Sequence, residues 1–180
     1  MPIGSRSQRP FPARPLSLEA VERLFGLVPA FAAARSRAAA LRATGLRLGR
    51  TSLFWDIPLF TGSGDPIEKL TIGDYCGFNC GCFFELDDRI TIGDHVSVGH
   101  DVMFLTRTYA TTDPHRRGTP SGSAPIEIGD GAWIGARCTL LPGTSVGAGS
   151  VIGAAAVIEG SIPPNVLVTG NRKISLARWR

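Results

Sequence analysis

Little in this sequence is aromatic. Phe, Trp and Tyr make up 8% of its 180 residues, which argues against a core filled by large rings and suits one built from short side chains. Long apolar stretches are missing too. The run Leu24 to Ala34 contains Pro29 and falls well short of the roughly 20 residues that a membrane-spanning helix needs, so no membrane partner is expected. Acid is in modest deficit, with 15 Asp and Glu against 19 Lys and Arg, a net charge of +4 and a pI near 9.2. The excess base sits in an N-terminal arm (Arg6, Arg9, Arg14), an internal segment (Arg107, Arg116, Arg117) and the tail (Arg172, Lys173, Arg178, Arg180). Basic ends can mark nucleic-acid binding. Here no aromatic residues alternate with the basic ones and no DNA- or RNA-binding motif is present, so no nucleic-acid partner is expected. A phosphate-bearing cofactor explains the charge as well.

Cysteine is also sparse. Cys76, Cys80 and Cys82 lie close together, but the spacing misses the paired C-x-x-C pattern of zinc sites, and no metal is expected. Reduced thiols and the lack of a signal peptide point to the cytoplasm.

What the sequence does have is a period of six. From Ile128 an aliphatic residue recurs at Ile134, Leu140, Val146, Ile152 and Ile158. Glycine follows four of these, at Gly129, Gly135, Gly147 and Gly153, which reads as relief of the backbone at a corner. Four residues after each anchor comes a small side chain: Ala132, Cys138, Thr144, Ser150, Ala156, with Ile162 as an exception. Cys76, Cys82 and Cys138 fall in this small-residue slot, so they are read as packing residues. A period of six matches neither a helix nor a simple strand. It matches a chain coiling around a prism, and hexapeptide repeats are the signature of β-helix solenoids. The phase extends upstream through Ile92, Val98 and Phe104, then Ile72, Phe78 and Phe84, and more weakly Leu48, Phe54 and Phe60.

The expected organisation is an all-β solenoid with additions. Residues 1–16 form a Pro- and Arg-rich flexible arm. Residues 17–45 form a helical cap, with Ser17 as N-cap, one apolar face made of Leu18, Val21, Leu24 and Phe25, and Gly45 closing a second helix. Residues 46–163 form the solenoid, interrupted by a loop insertion at 106–125. Residues 164–180 leave it as a tail. A solenoid needs a cap to cover its terminal coil, and its long insertions tend to carry function.

Four stretches carry a family resemblance across about residues 46–170: IGDYCGFNCGCFFELDD, ITIGDHVSVGHDVMFLTRT, IEIGDGAWIGARCTLLPG and VIGAAAVIEGSIPPNVLVTGN. The chain resembles the hexapeptide acyltransferases, most closely the maltose, galactoside and exopolysaccharide O-acetyltransferase branch. The resemblance implies a left-handed parallel β-helix, although crossovers usually prefer the opposite hand. It also implies a homotrimer with active sites between subunits, acetyl-CoA as acyl donor, and a loop histidine that takes a proton from the acceptor while backbone N–H groups hold the oxyanion.

Carried over by position, Asn79 and Asp87 would bind the acceptor, with Glu85 beside them. Trp133, Gly135, Ala136, Gly153 and Ala154 would line CoA. Two departures stand out. Tyr109 occupies the histidine position, and an ordinary phenol, with a pKa near 10, is a poor base at neutral pH. The tail GNRKISL lacks the family's proline and puts Ile174 in its Lys/Arg position, leaving Arg172 and Lys173 as substitutes. His115 in the same loop and His100 in the coil are the other candidate bases, while His95 is read as a solvated corner residue. The first reading is therefore a CoA-dependent O- or N-acyltransferase, acting on a sugar or small hydroxylated or amino metabolite with an altered base. A pocket rewired for CoA-independent lyase, cyclase or isomerase chemistry, and a non-catalytic trimeric scaffold, remain as alternatives.

Overall fold

The structure, a computed structural model, describes residues 16–113 and 115–170 and the backbone of 177–178. Its body is a three-sided prism of stacked coils, and each side is a parallel sheet. The first face holds Arg47–Leu48, Leu70–Ile72, Ile90–Ile92, Ile126–Ile128, Ser145–Val146 and Ser161–Ile162. The second holds Leu53–Phe54, Gly77–Phe78, Ser97–Val98, Trp133–Ile134, Val151–Ile152 and Val166–Val168. The third holds Leu59–Thr61, Phe83–Glu85, Met103–Leu105, Thr139–Leu140 and Val157–Ile158.

The register follows from the period. Ile128 sits beside Ile92 and Val146, Ile134 beside Val98 and Ile152, and Leu140 beside Phe104 and Ile158. Side chains alternate across a strand, so each anchor points into the prism while its neighbours in the strand point out. Near the cap the anchors are rings: Phe54 stacks on Phe78 at 4.5 Å and Phe84 on Phe104 at 4.7 Å. The inward aromatics are thus concentrated in the coils nearest the cap, and aliphatics fill the rest. The small-residue slot faces inward as well. Its polar members are satisfied by carbonyls: Thr144 Oγ1 donates to Leu141, Ser150 Oγ to Pro163 at 2.7 Å, and the Cys138 thiol to Gly153 at 3.1 Å.

Two readings of the repeat change. Ile162 is not an odd member of the small slot. It pairs with Val146 as the next anchor, because the corner between Ile158 and Ile162 is two residues short. The glycines after the anchors do not supply a left-handed backbone. That conformation falls two residues later, at Tyr75, His95, Gly131, Gly149 and Asn165 along one corner. The post-anchor glycines instead allow adjacent coils to approach: a Cβ on Gly99 would lie 2.5 Å from the Ala136 nitrogen, and one on Gly135 2.6 Å from that of Ala154.

Helix α1 (Leu18–Phe25) starts at Ser17, whose side chain accepts from Ala20 N. Helix α2 spans Ala34–Ala43. Val21, Phe25, Ala38 and Leu41 join the buried cluster of the first coil. Leu24, expected on the same face, is 61% exposed instead; the helix is too short for all four residues to reach the core. The junction is held by Arg37, which is fully buried. Its guanidinium donates to the carbonyls of Val28, Pro29, Ala32 and Trp55, and lies 5.9 Å from the Phe25 ring centroid. This cation is neutralised by carbonyl dipoles, an arrangement with no periodic trace in sequence.

Two boundaries also move. The insertion is not a simple loop: Arg107–Ala110 and Thr119–Ser123 form an antiparallel hairpin with an irregularity between Thr108 and Tyr109. The segment after Pro163–Pro164 does not leave the prism at once. Val166–Val168 pairs with Val151–Ile152, and Ala177–Arg178 then adds antiparallel to it. The arm at 1–15 lies outside the described residues.

Gly99→Ala forces a methyl against rigid backbone and should cost about 1–3 kcal/mol, the usual range for overpacking. Arg37→Ala strands four carbonyls and should cost about 3 kcal/mol or more. Thermal unfolding measures both.

Candidate functional site: an edge and a groove on either side of one face

The residues singled out in the sequence fall on two borders of the third face. The corner between the second and third faces carries Asn79, Gly99, Gly135 and Gly153, each one residue after in-register anchors. The next residues are Cys80, His100, Ala136 and Ala154. Backbone bonds tie these coils together: Arg137 N donates to His100 O and Ala155 N to Ala136 O. Asn79, His100 and the four proposed CoA-lining small residues therefore form one continuous edge. Trp133 points outward from the strand leading into it and is 56% exposed. Glycine and alanine leave the edge nearly free of side chains. The N–H groups of Ala136 and Ala154 donate to no acceptor among the described residues. An extended ligand with carbonyl oxygens could lie against this backbone.

His100 is exposed, and its ring lies 6.2 Å from that of Phe31 in the cap. His95 lies on a different corner, stacked on Tyr75 at 4.7 Å.

The opposite corner, between the third and first faces, carries Glu85, Asp87 and the hairpin. Beneath the hairpin lies a groove of about 480 Å³. Phe83, Met103, Leu105, Leu141 and Pro142 form its apolar walls, and Glu85, Arg107, Thr108, Tyr109 and Glu159 its polar ones. Tyr109 is 47% exposed. The irregularity beside it re-aims the strand, a usual role of such kinks. His115 is exposed in the hairpin tip, where its N–H donates to Asp113 Oδ1.

The base of the hairpin is densely bonded. Thr106, fully buried, donates to Glu85 O at 2.6 Å and accepts from the N–H groups of Asp87 and Asp88. Arg107 N donates to Glu85 Oε2 at 3.0 Å, and Ser123 Oγ donates to Asp88 Oδ2. Arg107 Nε and Nη2 both reach Asp87 Oδ2 at 2.7 Å, while Asp87 Oδ1 accepts from Ser63 N at 3.1 Å. The Arg107 hydrogen bond holds the Asp87 carboxyl below its ordinary range, helped by Ser63. Asp87 in turn raises the Arg107 pKa, with a smaller contribution from the Tyr109 hydroxyl.

The edge and the Glu85–Asp87 corner stand at opposite ends of the third face, whose outward Phe83 and Met103 line the groove. A single chain does not bring Asn79 and His100 together with Asp87 and Tyr109. Arg172 and Lys173 lie outside the described residues. Arg107 and Glu159 were not singled out in the sequence. Arg107 was recoverable, because Glu85 pairs with Leu105 and the same offset of one coil joins Asp87 to Arg107.

The outward positions of the three faces differ. The first presents Arg47, Thr71, Thr91, Glu127, Ser145 and Ser161; the third presents Leu59, Phe83, Met103, Thr139 and Val157. Leu59, Met103 and Val157 are all exposed.

Residues 125–160 match the family described as bacterial transferase hexapeptide (six repeats). That stretch carries the hexapeptide repeat of the family. A Schizosaccharomyces pombe protein named for an inferred acetyltransferase activity is 37% identical over 68% of this chain and 64% of its own length. The galactoside O-acetyltransferase of Escherichia coli is 36% identical over 47% of this chain and 41% of its own. The chain thus spans less than two thirds of either relative. Among solved structures, a hexapeptide-repeat acetyltransferase from Vibrio cholerae, complexed with acetyl-coenzyme A, superposes with a TM-score of 0.70. It is 27% identical, over 90% of this chain and 89% of that one. The β-solenoid is therefore shared with these hexapeptide-repeat acetyltransferases.

The lowered Asp87 pKa sets a pH window. A carboxyl whose folded pKa lies below its unfolded value stabilises the fold fully above the unfolded value, about 4, and loses that contribution as pH falls through the folded one. Amide protection of the hairpin, measured by NMR, should hold from pH 7 to about pH 4 and decline below it.

Proposed function

We propose that this protein is a CoA-dependent acyltransferase that moves an acetyl group from acetyl-CoA to a hydroxyl or amine of a sugar or small metabolite. The observation that carries the proposal is the smooth edge at Gly99, Gly135, Gly153, Ala136 and Ala154, in a chain that superposes closely on an acetyltransferase complexed with acetyl-CoA. The glycines let adjacent coils close up, and the short Ala136 and Ala154 beside them leave the surface free for a pantetheine arm. Bound acetyl-CoA supplies an activated thioester carbonyl. The acceptor oxygen or nitrogen bonds to that carbon, the C–S bond breaks, and the acceptor's proton ends on the leaving thiol.

This chain's residues would hold the edge-bound donor and handle the proton. Asn79 and His100 stand on the edge; Glu85, Tyr109 and His115 belong to the groove and its hairpin. Because the third face separates the two sets, the site needs the edge of one copy beside the groove of another. The apolar outward column of the third face supports such packing, since burying it removes apolar surface from water. A homotrimer is the assembly proposed. Tyr109 replaces a histidine-type base, and the reaction is expected to be slow with generic acceptors for that reason.

Light scattering should give a mass three times the 19.1 kDa of the chain; a monomer would remove the shared site. Free thiol should appear when acetyl-CoA is mixed with a panel of sugars and amines. Tyr109→His should raise that rate by about tenfold or more, since a positioned general base contributes typically about a hundredfold to ten-thousandfold. A folded trimer showing no gain would argue against an acyl-transfer pocket.

A further inference from the structure

We infer that Arg107 is a positioning residue, and that Asp87 serves as its anchor rather than as a contact for the acceptor. This rests on the acyltransferase reading only for its consequence in the reaction; the latch itself stands on geometry. A carboxylate offers about four acceptor positions. Asp87 commits three: Oδ1 to Ser63 N at 3.1 Å, and Oδ2 to both Nε and Nη2 of Arg107 at 2.7 Å. Only 11% of its side chain remains accessible. An acceptor hydroxyl would have to displace a charge-assisted bond, which is about twice as strong as a neutral one.

Arg107 is the first residue of the hairpin, two residues before Tyr109. Its peptide N–H is held by Glu85 Oε2 and its side chain by Asp87, so both ends of the residue are fixed to the coil beneath. Arg107 also lines the groove itself and a shallow hollow behind the hairpin, bounded by Ser63, Asp87, Pro120, Gly122 and Ser123. The latch therefore joins the solenoid to the back of the hairpin and sets where the Tyr109 strand stands over the groove. The hairpin's second strand is held by the ladder, by the Thr108–Ser121 hydroxyl pair and by Ser123 Oγ on Asp88 Oδ2, with no burial to add to these. All five residues of Thr119–Ser123 are exposed, and Pro120, opposite Tyr109, has no N–H to donate. Releasing the latch would free the strand that carries Tyr109 while leaving the buried Thr106 anchor and the prism intact.

Hydrogen exchange on the intact protein tests this directly. Arg107→Gln and Asp87→Asn should each speed exchange of the amides at 107–110 and 119–123 by about tenfold and leave the core strands unchanged. Arg107→Lys should restore part of the protection, because it keeps the charge but not the fork. The charge-swapped double variant, Asp87→Arg with Arg107→Asp, should exchange more slowly than either reversal alone. In a thiol-release assay with an accepted substrate, both single variants should lower kcat more than they raise acceptor KM. The inference is overturned if Asp87→Asn raises acceptor KM alone while hairpin exchange stays at the wild-type rate. It is also overturned if Arg107→Gln leaves that exchange unchanged. Should the wild-type protein transfer no acyl group at all, the exchange result still decides the latch, and only the proposed function fails.

Discussion

Everything in this molecule depends on coils stacking at the spacing of a β-sheet. Each inward side chain rests on one from the coil before, so every side of the prism must span six residues. Extra residues cannot enter a side without breaking that register. They leave at corners, as the one-turn helix Pro66–Lys69 does after the first coil and the hairpin does after the third. The position of the functional groups follows from this. The core is filled by apolar anchors and a slot of small residues, and the long excursion stands over one border of one face.

The same stacking explains the character of the opposite border. Coils close enough to hydrogen-bond leave no room for a Cβ at Gly99 or Gly135. Packing alone thus produces a strip with little side chain. That strip is also where a long, flexible, carbonyl-rich cofactor could lie. The hairpin stands over the other border, and its base is bonded through Thr106, Glu85 and the Asp87–Arg107 pair. One border is fixed by the repeat and the other by local polar contacts.

Much of this was legible because the repeat is a periodic signal. The anchors from Ile72 to Ile158, the inward small slot and the placement of three thiols could be read by counting. Counting failed where the period changed. Ile162 looked out of place because a corner lost two residues, and Val166–Val168 was assigned to a tail for the same reason. Single contacts without periodicity were harder to see. Arg37, buried among four carbonyls, resembles any other helix arginine in sequence. The hairpin was visible as an interruption, but its strands are short and polar, and Tyr109 stands opposite a proline. Leu24 was placed in the core by helical spacing, whereas an eight-residue helix laid over a prism corner covers less than a full apolar face.

The claim most open to contradiction is that the edge holds an acyl-CoA, and calorimetric titration of the purified protein with acetyl-CoA tests it most directly. The account predicts about one site per subunit with a dissociation constant between roughly micromolar and millimolar, the range typical of enzyme substrates, and loss of that binding in Ala154→Asp, a change at an exposed position of the edge. Absence of binding by a folded protein at millimolar acetyl-CoA would contradict it, and would leave the groove beneath the hairpin as a site for chemistry that needs no coenzyme.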